Sequence, residues 1–157
     1  MELPVAIEQT ALGYLARRDH SVKELKDKLM RKFSKHPVET LLPEIESLIE
    51  RFEARGYLDD QRFAQLFIES RVSRGYGPIK IRFELKQKGV EKSLVQSSMS
   101  ELEVDWSIQA KTLRERRFGA SLPTEMKDKK KQMRFLASRG FDYEHIKDGL
   151  LPDEELF

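Results

Sequence analysis

A short pattern that ends in a base, a glycine and an apolar residue recurs along this chain. It restricts the fold more than any other feature of the sequence. Glu24-Leu25-Lys26-Asp27-Lys28 is echoed by Glu84-Leu85-Lys86-Gln87-Lys88. Leu85-Lys86-Gln87-Lys88-Gly89-Val90 is echoed in turn by Leu136-Ala137-Ser138-Arg139-Gly140-Phe141. Gly56, Gly89 and Gly140 each follow a base, namely Arg55, Lys88 and Arg139. A glycine just past a helix takes the left-handed turn that other residues resist, and a cation in the last turn complements the helix dipole. The repeats therefore predict tandem units with helices that stop alike. Three units of three helices follow: residues 4–58, 59–104 and 105–152, with an acidic tail at 153–157. A short repeat buries only part of its apolar surface alone, so the units are expected to stack into an elongated, curved array.

Periodicity supports an all-α reading. Val22, Leu25, Leu29 and Phe33 recur at three- and four-residue steps, as do Leu41, Ile45, Leu48 and Phe52. No segment alternates between flanking hairpin turns, so no sheet is predicted. Ser21 and Glu24 have the spacing of a capping box, and Pro78 after Gly77 suits the first position of a helix. Asp59 or Asp60 is expected to cap the helix carrying Phe63 and Phe67. A metal site there would need further acids or histidines at ligand spacing, and none recur nearby. Trp106, Ala110 and Leu113 share one face and read as core. At 39% hydrophobic and 36% charged residues the chain is too polar for one thick core, which again favours a thin helical stack.

Several function classes find no support. There is no cysteine, which removes disulfides, thiol catalysis and cysteine-ligated zinc and suits a reducing cytoplasm. No apolar run approaches the roughly 20 residues of a membrane span, and Met1–Thr10 lacks the basic start of a signal peptide. His20, His36 and His145 share no ligand spacing. Gly75-Tyr76-Gly77-Pro78 could pass for a phosphate loop, but Pro78 removes an N–H donor and no Gly-Lys-Ser/Thr follows. No catalytic residue, cofactor or metal is expected.

The net charge of +2 hides an asymmetry. Residues 61–100 hold eight basic and three acidic side chains, and 105–140 hold ten and four, whereas 141–157 hold one and six. Two basic stretches suggest a polyanionic partner. The first contributes Arg71, Arg74, Lys80, Arg82, Lys86 and Lys88, and the second Arg114, Arg117, Lys127, Lys131 and Arg134. Two readings stand for the first group. Lys80, Glu84 and Lys88 can form an exposed i, i+4 ion ladder. Arg82 and Lys86, four apart with no acid between them on the face they share, repel each other and invite an external anion. For Tyr57 and Tyr76, packing at unit junctions competes with base stacking.

The middle unit carries a specific ordered series: Tyr57-Leu58-Asp59-Asp60-Gln61-Arg62-Phe63-Ala64, Ser70-Arg71, Arg74-Gly75-Tyr76-Gly77-Pro78, Ile81-Arg82, Glu84-Leu85 and Lys88-Gly89-Val90. This series closely resembles the central motif of the RecX regulatory family, and Asp105-Trp106 fits the opening of the third unit. The resemblance implies a cytoplasmic, non-enzymatic modulator that binds the RecA recombinase filament. It further implies restraint of filament extension, ATP hydrolysis, strand exchange and co-protease activity. Weak direct contact with single- or double-stranded DNA, no membrane partner and a monomeric state are the accompanying expectations. A plain DNA-binding module is the rival reading, though no helix presents Asn, Gln and Arg together as a base-reading set.

Overall fold

The structure, a computed structural model, describes residues 1–151; the acidic tail at 153–157 lies outside them. The described residues form helices α1 (Leu3–Arg17), α2 (Val22–Lys32), α3 (Val38–Ala54), α4 (Asp60–Ser73), α5 (Pro78–Gln87), α6 (Lys92–Glu101), α7 (Trp106–Phe118), α8 (Met126–Ser138) and α9 (Tyr143–Gly149). No strand occurs among them.

Helix starts follow the local chemistry. Ser21 and Glu24 make the reciprocal capping box, with the Ser21 hydroxyl accepting from the Glu24 amide and the Glu24 carboxylate from the Ser21 amide. Pro78 opens α5. Of the paired aspartates, Asp59 is the cap, accepting from the amides of Gln61 and Arg62. Asp60 reaches back instead to the Val22 amide at 2.9 Å and ties the start of α4 to the start of α2.

Each run of three helices closes on its own core. The first contains Leu25, Leu29, Leu41, Ile45, Leu48 and Phe52, all at most 1% exposed. Each such side chain contributes about 1.5–3 kcal/mol by leaving water. The second core gathers Phe63, Ala64, Ile68, Ile81 and Leu85, and the third is smaller, built on Ala110, Leu136, Phe141 and Ile146. Trp106 packs against both the second and the third core. It is thus a joint between units as well as a partner of Ala110 and Leu113. Tyr57 is exposed and meets Phe52 edge-on, so it packs on the first unit's own core.

Neighbouring groups of helices meet through the ends of their middle helices. The C-terminus of α5 abuts the N-terminus of α2: the Ser21 hydroxyl donates to the Lys88 carbonyl at 2.6 Å, and the Lys23 ammonium to that of Gln87 at 3.3 Å. The C-terminus of α8 abuts the N-terminus of α5 in the same way. There the Gly77 amide donates to the Arg139 carbonyl at 2.7 Å, and Ile79 to Gly140 at 2.9 Å. Negative helix ends therefore face positive ones, and backbone groups that helices leave orphaned find partners. The recurring base-glycine string marks these junctions: Gly89 and Gly140 hold φ of 78° and 96°, where a side chain would be strained.

Candidate functional site

The side chains of the basic stretches divide into two sets, and acids decide which is which. Arg71 donates from Nε to the Glu84 carboxylate at 3.1 Å and lies over the ring of Phe67 at 4.6 Å. Lys88 bonds the Glu24 carboxylate at 2.8 Å, across the junction between α5 and α2. Lys80 and Arg139 flank the Tyr76 ring at 4.8 and 5.2 Å. Tyr76 is thus a half-buried junction residue clasped by cations, not an open stacking platform. These cations hold the molecule together. The ion ladder along α5 does not form, because Glu84 turns to α4 and Lys88 turns to α2.

Glu24 is the hub of the first junction. Burial alone would raise its pKa, but hydrogen bonds from Arg18, Lys88 and the Ser21 amide outweigh that effect and hold it at about 2. Asp60 nearby shifts the other way: burial raises it, and one amide bond from Val22 only partly compensates.

Arg114 corrects the sequence reading. It was expected on the basic surface, yet it is fully buried. Its Nε donates to the Gly149 carbonyl at 3.0 Å, and Nη1 lies within 3.5 Å of the Gly119 and Ser121 carbonyls and Gln132 Oε1. It fastens the end of α9 and the α7–α8 connection to α7. A planar fork of five donors can serve several carbonyls at once, which no other cationic side chain does.

The second set has no acidic partner among the described residues. Arg82 and Lys86 lie exposed one turn apart on α5, and neither makes an ion pair or hydrogen bond among the described residues. Lys127, Lys131 and Arg134 form an equally exposed stripe along α8, and Arg74 stands exposed at the end of α4. Arg117 is exposed and lies over the rings of Phe118 and Phe135 at 5.8 and 5.7 Å. The sequence reading missed the apolar groups beside the free cations. Phe83 is 58% exposed between Arg82 and Lys86, and Tyr143 is 63% exposed at the start of α9. A signal existed for Phe83: the buried face of α5 is Pro78, Ile81 and Leu85, and Phe83 falls opposite it.

No helix among the described residues is long and apolar enough to cross a membrane. Three family models match the chain: the first three-helix domain of RecX over residues 9–42, the second over 59–99 and the third over 109–150. The chain is 41% identical over 142 residues to the regulatory protein RecX of Halorhodospira halophila, covering 90% of this chain and 84% of that protein. It is 43% identical over 152 residues to the regulatory protein RecX of Serratia proteamaculans, covering 87% and 90%. Among solved structures, RecX from Lactobacillus salivarius superposes with a TM-score of 0.75 at 21% identity, over 98% of this chain and 96% of that one, so the fold is shared.

Proposed function

The chain belongs to the RecX regulatory protein family, and from that premise we propose that it binds the RecA recombinase filament on DNA and restrains it. Filament extension, ATP hydrolysis, strand exchange and co-protease activity are the processes it would slow, in the cytoplasm and in the service of DNA repair. The protein acts as a monomer by occupancy of a surface, with no chemistry of its own. The units 4–58, 59–104 and 105–152 are the modules that lie along the filament.

The observation that carries this reading is the sorting of the cations. Where an internal acid is at hand, as for Arg71 and Lys88, it is engaged. Arg82, Lys86, Lys127, Lys131 and Arg134 are left exposed on two successive middle helices, with no anion of the described chain to meet them. Like charges one turn apart repel, and an extended acidic partner relieves that repulsion. A DNA–protein filament is such a partner, and contact with it releases counterions, so binding weakens with salt. Arg71, Lys80 and Lys88 contribute indirectly, by holding the junctions that set the spacing of the free cations.

The test is ATP hydrolysis by RecA assembled on single-stranded DNA, titrated with the protein, beside binding to that DNA alone. A fall in hydrolysis at concentrations too low to coat bare DNA supports a filament-directed regulator. Unchanged hydrolysis together with tight binding to bare DNA replaces this reading with that of a simple DNA-binding module.

A further inference from the structure

We infer that the third group of helices swings against the second as a hinged body, closing the cleft between α4 and α7 so that Glu69 meets Arg116. The swing turns on Glu103 and on the contact between Gly77 and Gly140.

The cleft holds about 470 Å³. Glu69 and Val72 of α4 line one wall, and Gln109, Leu113 and Arg116 of α7 line the other. Val72 packs against the second core and Leu113 against the third, so each wall moves with its own group. The walls match. Residues three apart share a helix face, and each wall presents an apolar side chain with a charge one turn away. The two charges are of opposite sign. Glu69 and Arg116 are both exposed, and neither has an ion pair or hydrogen bond among the described residues.

Two attachments join the third group to the second, and the cleft lies beside both. One is the connection 102–105 between α6 and α7. Leu102 and Val104 line the cleft, and Glu103 between them has φ of 46°, the one non-glycine residue at positive φ among the described residues. A side chain with a Cβ resists that region, so the neighbours impose it. Leu102 packs on the second core, Asp105 caps α7, and Trp106 packs on both cores. The other attachment is the pair of backbone bonds from Gly77 to Arg139 and from Ile79 to Gly140. Gly75, two residues before it, also lines the cleft. Two fixed points leave one free rotation, about the line between them, and that rotation narrows or widens a cleft beside the line. As Glu103 leaves the left-handed region its strain is relieved, which favours the swing.

The first junction has the braces that the second leaves unmade. There Lys88 pairs with Glu24, Arg62 pairs with Asp19, and the Asp60 carboxylate accepts from the Val22 amide. At the second junction Glu69 and Arg116 are the acid and base at hand, and they stand apart across the cleft. Closure also carries the α8 stripe of Lys127, Lys131 and Arg134 relative to Arg82 and Lys86 on α5. The spacing of the free cations therefore has two settings.

The test contains neither RecA nor DNA, so its outcome is separate from that of the filament reading. The full chain carrying Arg116→Lys keeps the charge and supplies an amine. A water-soluble carbodiimide activates the Glu69 carboxyl, the amine at position 116 displaces the reagent as its urea, and an amide forms with net loss of one water. Only groups in contact couple. Peptide mass spectrometry of the monomer fraction is expected to show the link between positions 69 and 116. The exposed pair of Lys26 and Glu46, 3.6 Å apart, couples in the same sample and shows that the reagent works. Glu103→Gly, added to Arg116→Lys, takes the left-handed turn without strain and so removes the push towards closure. It is expected to lower the yield of the 69–116 link roughly fivefold or more and to leave the 26–46 link unchanged. Absence of the 69–116 link beside a formed 26–46 link overturns the inference, as does a 69–116 link found only between two copies. An equal yield with Glu103→Gly overturns it too, because the walls would then meet without the hinge.

Discussion

The amide of Gly77 lies 2.7 Å from the carbonyl of Arg139, and a side chain on Gly77 would meet the backbone of Gly140 and Phe141 at 2.5 Å. The start of α5 and the end of α8 thus touch backbone to backbone, with no room for so much as a methyl group. Gly140 completes the contact from the other side, where a Cβ would come within 2.7 Å of the Lys80 nitrogen. The two glycines serve different needs. Gly140 must also hold a positive φ, whereas Gly77 is extended, with φ of −93°, and is required only for the close approach.

Gly77→Ala is therefore expected to destabilise the protein by about 1–3 kcal/mol through overpacking at this junction. Gly13→Ala is the control, since nothing lies within 4 Å of a Cβ there and the position is inside α1. It should gain about 0.5–1 kcal/mol from helix propensity. Urea unfolding followed by circular dichroism separates the two. Equal effects would mean that the junction accommodates a methyl group by sliding.

Arg114→Met should cost about 3–5 kcal/mol, because the carbonyls of Gly149, Gly119 and Ser121 lose a shared buried donor. Arg114→Lys should recover little of this, as a single ammonium cannot span the same fork. Amide exchange is the informative measurement. The loss should appear first in α7–α9, while α2 and α3 stay protected. Uniform loss of protection would show that the units unfold as one.

What the sequence made legible was local. Caps, glycine stops and the faces carrying Leu25, Leu29, Leu41 and Ile45 depend on residues within a turn or two, and the structure carries them as read. Pairing between units was not legible. Glu84 has lysines four residues away on both sides, yet it bonds Arg71 on another helix. Asp59 and Asp60 are chemically alike, and only the approach of α2 gives the second a role in the junction. Arg114 was misplaced for a different reason. Its neighbours Arg116 and Arg117 suggested a basic surface, although it shares the helix face of Ala110, which is buried. Periodicity was the stronger signal there, and charge the weaker.

Glu24 predicts an acid-sensitive junction. Its folded-state value of about 2 lies below the ordinary 4.5. A depressed carboxylate adds stability above its unfolded value, and that stability disappears as pH falls through the folded one. The stability gap between the wild type and Glu24→Gln should be full above pH about 5 and shrink between about 4.5 and 2. A gap independent of pH would mean that the Ser21 cap, not the charge, carries the effect. Asp60 has the opposite sign, since burial raises its pKa. Asp60→Asn keeps an acceptor for the Val22 amide and removes a desolvated charge, so it should match or exceed the wild type at neutral pH.

His20 is a further titratable group that folding shifts, and its sign differs from that of Glu24. The residue is 3% exposed, with Nδ1 3.0 Å from the Arg18 carbonyl and Nε2 2.9 Å from the Lys28 ammonium. A carbonyl only accepts and an ammonium only donates, so the folded state holds the neutral tautomer with its proton on Nδ1. Burial is the main cause that lowers its pKa below 6.5, and the neighbouring charges of Arg18 and Lys28 add to it. A histidine depressed by folding costs nothing while neutral. It destabilises progressively as pH falls below the unfolded value and the unfolded chain takes up the proton first. Stability should therefore begin to decline as pH falls through the ordinary histidine value of 6.5, ahead of the carboxylates. In His20→Gln, whose amide can also donate and accept, that early decline should vanish. Persistence of the decline in the variant would assign it to another group and leave His20 as packing against Tyr14, whose ring stacks on it at 6.1 Å.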